Sequence, residues 1–153
     1  MLINILLGFF IPWILGISLY RKDKRILLAI FPVGSLMAFT INIFGFYFEF
    51  WNLTPILKEK TMAALPMDLG VYPILGCYLI YLVDHKQWNP FLLIAIFAGL
   101  TTVFEFMGVV TGKVVYMNHW NIGWSFVSYF IPYTLEVWYY RILFCLFKKT
   151  SSA

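Results

Sequence analysis

The chain has 153 residues, 62% of them hydrophobic and 12% charged. Soluble globular domains hold roughly 45–50% apolar and about 25% charged residues, and disordered segments need low hydrophobicity and high charge, so both classes are excluded. The net charge of +4 flanks apolar runs instead of forming a basic patch, which argues against nucleic acid and makes the lipid bilayer the expected partner.

Five apolar segments follow in chain order within one integral membrane domain, 1–153. The first covers 2–20. It lacks a basic lead-in and a small-x-small cleavage site, and Arg21, Lys22, Lys24 and Arg25 come after it. That order predicts a retained helix with its N-terminus outside. The second covers 26–50. The third, 66–83, is short and holds Pro73, so a hairpin that only dips into the bilayer stays open as an alternative to a full span. The fourth covers 91–110 and the fifth 122–147. Four of the five reach the ~20 residues that a ~30 Å hydrocarbon core requires. The expected fold class is all-α: a polytopic membrane protein with about five transmembrane helices, N-terminus outside and C-terminus cytoplasmic.

Basic residues support that topology. Alternating spans put Arg21, Lys22, Lys24, Arg25, Lys86, Arg141, Lys148 and Lys149 on the cytoplasmic side and Lys58, Lys60 and Lys113 outside, eight against three, as the positive-inside rule requires. An even number of spans would break this asymmetry.

Small and polar residues recur at helical spacing. The second segment has Gly34, Ala38, Asn42, Gly45 and Glu49; the fourth has Ala98, Thr101, Glu105, Gly108 and Gly112; the fifth has Ser125, Ser128, Pro132, Glu136 and Tyr140. Such stripes let helix backbones approach closely in lipid. Pro12, Pro32, Pro73 and Pro132 are expected kink points. Trp13, Trp51, Trp88, Trp120 and Trp124 read as interfacial anchors, and none is assigned to a cofactor.

Cys77 and Cys145 both lie in apolar runs, and no Cys/His spacing suits zinc, so no metal or cofactor is expected. No nucleotide-binding, hydrolase or zinc-protease motif is present. What remains is ionisable residues inside the membrane, which are costly and mark functional sites. Counting ~1.5 Å per residue places Glu49, Asp68, Glu105 and His119 in the outer half, with Asn42 deeper on the Glu49 face. These five residues form the candidate ligand-binding set; no catalytic residue is assigned. Bland alternatives stand beside it: Asp68 as a helix cap, and Glu49 and His119 in headgroup water. Glu136 is expected in the inner third, bonded to Arg141 or to a tyrosine. The FEF triplets at 48–50 and 104–106 raise an internal repeat, although 16 phenylalanines make a chance match easy.

From 68 to 141 the chain resembles a family of small multi-spanning membrane proteins of spore-forming Firmicutes. The resembling residues are Asp68-Leu-Gly-Val-Tyr72-Pro73, Phe104-Glu105, and Tyr116-Met-Asn-His119-Trp120 leading to Ser125. The resemblance implies a multi-pass protein of the bacterial cytoplasmic membrane and no assigned reaction. A fainter similarity, to small lycopene cyclase subunits, implies intramembrane carboxylates acting on an isoprenoid, but a PxEE-type motif is absent.

Three readings of function follow. A non-enzymatic protein would bind a lipid headgroup, small ligand or cation in an outer-side polar pocket. An intramembrane enzyme would use Glu105 or Asp68 as general acid on an isoprenoid or lipid. An assembly subunit would pack its small-residue stripes against a partner membrane protein or a second copy of itself.

Overall fold

The computed structural model describes the backbone over residues 1–150 and side chains over 1–145; Lys148 and Lys149 of the charge count lie outside the described side chains. The chain is 79% helical. Helices α1 (Leu2–Ile5) and α2 (Ile11–Lys22) are joined by a π-helical turn, Leu6–Phe10, and α3 covers Lys24–Tyr47. Then come strand β1 (Trp51–Leu53), α4 (Thr61–Asp68), α5 (Val71–Lys86), α6 (Pro90–Val110), strand β2 (Val114–Tyr116) and α7 (Ile122–Thr150).

Four helical stretches are long and apolar enough to cross a membrane: Leu2–Lys22, Lys24–Tyr47, Thr61–Lys86 and Pro90–Val110. Their outward faces fit lipid. Leu28, Leu36, Phe91, Leu100 and Val110 are each more than half exposed, an apolar surface far beyond what a soluble monomer presents. Helix α7 is longer than any of them, at 29 residues.

The third stretch is where the structure departs most from the apolar pattern. It begins at Thr61, runs 26 residues and is interrupted at Leu69 and Gly70, not at Pro73. Pro73 sits in the first turn of α5, where a missing N–H costs nothing. The interruption has a steric cause. A Cβ on Gly70 would lie 2.0 Å from the Gly8 carbonyl oxygen and 2.8 Å from Phe9 Cα. The two backbones touch there, and only glycine fits. Pro12 cannot donate a hydrogen bond back to Gly8, and the π turn falls just before it. Trp13 Nε1 donates to the Leu69 carbonyl at 2.8 Å, so the break is not left unsatisfied.

Helix α5 is central, packing against α2, α3, α4, α6 and α7. One end of the bundle gathers Arg21, Lys22, Lys24, Arg25 and Lys86. There Asp23 caps α3 through the Arg25 and Ile26 amides and approaches His85 of α5 at 3.5 Å. The other end carries a feature absent from the sequence reading. Strands β1 and β2, from the two long loops, pair antiparallel with Trp51 opposite Tyr116. A large apolar cluster that includes Leu19, Ile30, Ile74, Ile80, Phe97 and Val137 runs from the basic end into the middle of the bundle. A small one, Phe46, Leu53, Ala63, Ala64 and Val114, lies under the strands.

The small-residue stripes turn inward within the chain. Gly34 faces Pro73 and Glu136, Gly45 accommodates the Trp51 ring, and Gly108 faces Val114. Gly112 instead ends its helix in a left-handed turn, φ 69°.

Candidate functional site

Helix α3 packs on α2, α4, α5 and α7, while α6 packs on α5, α7 and β2. The space left between α3 and α6 is a partly open cavity of about 260 Å³, just below the size of pockets that bury drug-sized ligands. Ala38 and Ile41 of α3 face Phe104 and Gly108 of α6 across it, with Trp51 and Trp120 toward the strands and Tyr133 and Glu136 toward the bundle middle. Ile3, Leu7 and Met107 line it and are also about half exposed or more on the apolar flank.

Glu105, on α6, is the hub of a hydrogen-bond network. Oε1 accepts from Tyr116 Oη and from Ser125 Oγ, the latter at 2.7 Å; Oε2 accepts from Tyr129 Oη. Ser125 Oγ accepts in turn from Trp120 Nε1 at 2.9 Å, and Tyr129 Oη lies 3.4 Å from Tyr72 Oη. The network ties α6, β2, α7 and α5 together. Burial, reinforced by the bond to Glu105, pushes the Tyr116 phenol above its usual range, so it remains a donor.

Asp68 ends α4 and is 1% exposed. Its Oδ1 accepts from Asn42 Nδ2 at 2.7 Å, and Trp51 Nε1 donates to Asn42 Oδ1 at 3.1 Å. Asn42 and Trp51 line the cavity, with Asp68 behind Asn42. Asp68 Oδ2 is buried without a partner. The Trp51 ring packs on Trp120, centroids 4.8 Å apart, and reaches Asn42 only because residue 45 is glycine: a Cβ there would lie 2.0 Å from the ring.

Glu136 lies elsewhere than expected. It lines the cavity, is 2% exposed and is not ion-paired with Arg141, which is exposed. Oε1 lies against Gly34 and Oε2 against Gly76; a Cβ would approach them to 2.8 and 2.1 Å respectively. Oε2 has no hydrogen-bond partner. Residue 136 falls at the middle of α7, which covers Ile122–Thr150, and not in its inner third.

Glu49 and His119 stand apart from the cavity. Both have left-handed backbone, φ 54° and 62°, and sit in turns. The Glu49 side chain is 63% exposed and lies 3.8 Å from Lys60; His119 is exposed. The two FEF triplets are therefore not equivalent in place: Glu49 follows the end of α3, whereas Glu105 lies within α6. Tyr72, Tyr116, Tyr129, Trp51 and Trp120, none of them in the candidate set, supply most of the donors. Helical spacing placed Ser125 on the stripe with Glu136, but no local signal tied β2 to α6.

Comparison with family models, curated proteins and solved structures gives no match.

Proposed function

We propose that this chain is a multi-pass protein of the bacterial cytoplasmic membrane that holds the polar head of a membrane amphiphile in the cavity between α3 and α6. The carrying observation is the cavity itself: mostly apolar walls, a few convergent polar groups, and continuity with the lipid-facing flank, the usual make-up of a ligand site. Its volume suits a head or a small molecule, with any tail left in lipid.

Five spans, N-terminus outside and C-terminus inside, complete the reading. Helix α7, at ~1.5 Å per residue, is about 43 Å long and packs along α6. The basic end of the bundle would face the cytoplasm, so the strands and the cavity would lie toward the outer leaflet. In intact cells, a cysteine at position 58 should react with a membrane-impermeant thiol reagent, and one at position 24 should not; the reverse would invert the topology.

The enzyme reading is weaker for both candidate acids: the two Glu105 oxygens are already occupied by hydroxyl donors, and Asp68 is buried and does not line the cavity, whereas a general acid needs a free approach to its substrate. The subunit reading loses support from stripes that pack inside the chain. Native mass spectrometry in mild detergent tests the proposal. A bound amphiphile on the wild type should be absent from Ala38→Trp, which fills the cavity. Equal binding by both, or no bound mass with a defined multimer, would reject the cavity as the site.

A further inference from the structure

Two carboxyls line the cavity, and they differ in what they already hold. Glu105 accepts three hydroxyl bonds from its own chain. Glu136, almost wholly buried, makes no ion pair among the described residues, and its Oε2 has no hydrogen-bond partner. A bare carboxyl at this depth is costly and is retained where it meets a ligand, a proton or a charge.

We infer that Glu136 is the seat of a protonated primary amine, the head of the amphiphile that enters between α3 and α6; this rests on the ligand reading above. Three observations beyond the carboxyl point to that chemistry. Lys113 is the single basic residue lining the cavity, and it forms no ion pair with Glu136, so no cation of the described chain occupies that carboxyl. The cavity is lined by Tyr133, the tyrosine whose neighbouring carboxyl is Glu136, and aromatic walls favour a cation. No group of three or more His, Cys, Asp or Glu side chains is placed to hold a metal ion among the described residues, so an organic cation, which brings its own donors, fits better than a bare metal.

Gly34 and Gly76 shape the seat. Their missing side chains make the notch in which the carboxyl lies, so its position is fixed by two helices other than its own. An ammonium there would form a charge-assisted bond in a low-dielectric site, where such bonds are strongest. An alcohol of the same length would fill the same space without the charge.

The test is a titration of the full chain in mild detergent with n-octylamine and, separately, n-octanol, read by native mass spectrometry. Wild type should bind the amine roughly tenfold or more tighter than the alcohol. Glu136→Gln should bring the two affinities together while alcohol binding persists, which also reports that the variant is folded. Equal wild-type affinities, or an amine preference that survives Glu136→Gln, would overturn the amine seat and leave the cavity reading standing. Failure of both probes to bind wild type would overturn both. Should Glu136→Gln not fold, the wild-type ratio alone decides.

Discussion

Glu105 and Glu136 line the same cavity from two helices packed on each other, α6 and α7, and are opposites in their surroundings. Glu105 is half-buried and saturated with donors from β2 and α7; Glu136 is fully buried and bare, wedged between two glycines. The first carboxyl does structural work, because it accepts from three hydroxyls on two other elements. The second costs stability and is the one with capacity left for a ligand. Membrane depth alone does not separate these roles; the count of donors does.

Mutations should separate the two acids, starting with the largest effect. Glu105→Leu removes the acceptor shared by Tyr116, Ser125 and Tyr129; Tyr116 and Ser125 still lie 2.9 Å apart and Tyr129 3.4 Å from Tyr72, so the cost should be about 1–3 kcal/mol for each hydroxyl that finds no other acceptor. A large drop in the thermal midpoint in detergent is the readout; an unchanged midpoint would mean the network is not structural. Gly76→Ala drives a Cβ to 2.1 Å from Glu136 Oε2 and should cost about 1–3 kcal/mol. Most of that should vanish in a Glu136→Ala background, and a double-mutant cycle showing no coupling would remove Glu136 from the notch. Glu136→Leu should leave stability unchanged or raise it by up to about 3 kcal/mol, because a buried polar group without a partner is lost.

The smallest effect concerns a third carboxyl, outside the spans. Burial raises the Asp23 pKa, but hydrogen bonds from the Arg25 amide and side chain and the Ile26 amide outweigh it, and the net shift is downward. A depressed pKa contributes stability above the ordinary Asp value and loses it as pH falls through the folded value. Acid titration below about pH 3.9 should therefore weaken wild type more than Asp23→Asn. Parallel curves would show that the cap carries no pH dependence.

Most of the helices could be read from the sequence because a bilayer demands long apolar runs: those at 2–20, 91–110 and 122–147 fall on helix, and the one at 26–50 does so up to Tyr47, where α3 ends and residues 48–50 turn away. The break at Leu69 and Gly70 could not, because its cause is a backbone contact with Gly8, 62 residues away. Strands β1 and β2 escaped notice because three residues carry too little pattern, and their pairing is long-range. Depth counting places Glu49, His119, Asp68 and Glu105 in the same outer half. It could not show that positive-φ turns swing Glu49 and His119 outward, nor that Asp68 would find Asn42. The stripe at Gly34 marked a close approach, but its occupant, Glu136, comes from a helix 102 residues further along the chain.

The most direct measurement is native mass spectrometry of wild type, Glu105→Gln and Glu136→Gln purified side by side from the same membranes. The account predicts a bound amphiphile on wild type and on folded Glu105→Gln, and its loss from Glu136→Gln. Loss from Glu105→Gln with retention on Glu136→Gln would contradict it and return the binding role to the saturated acid.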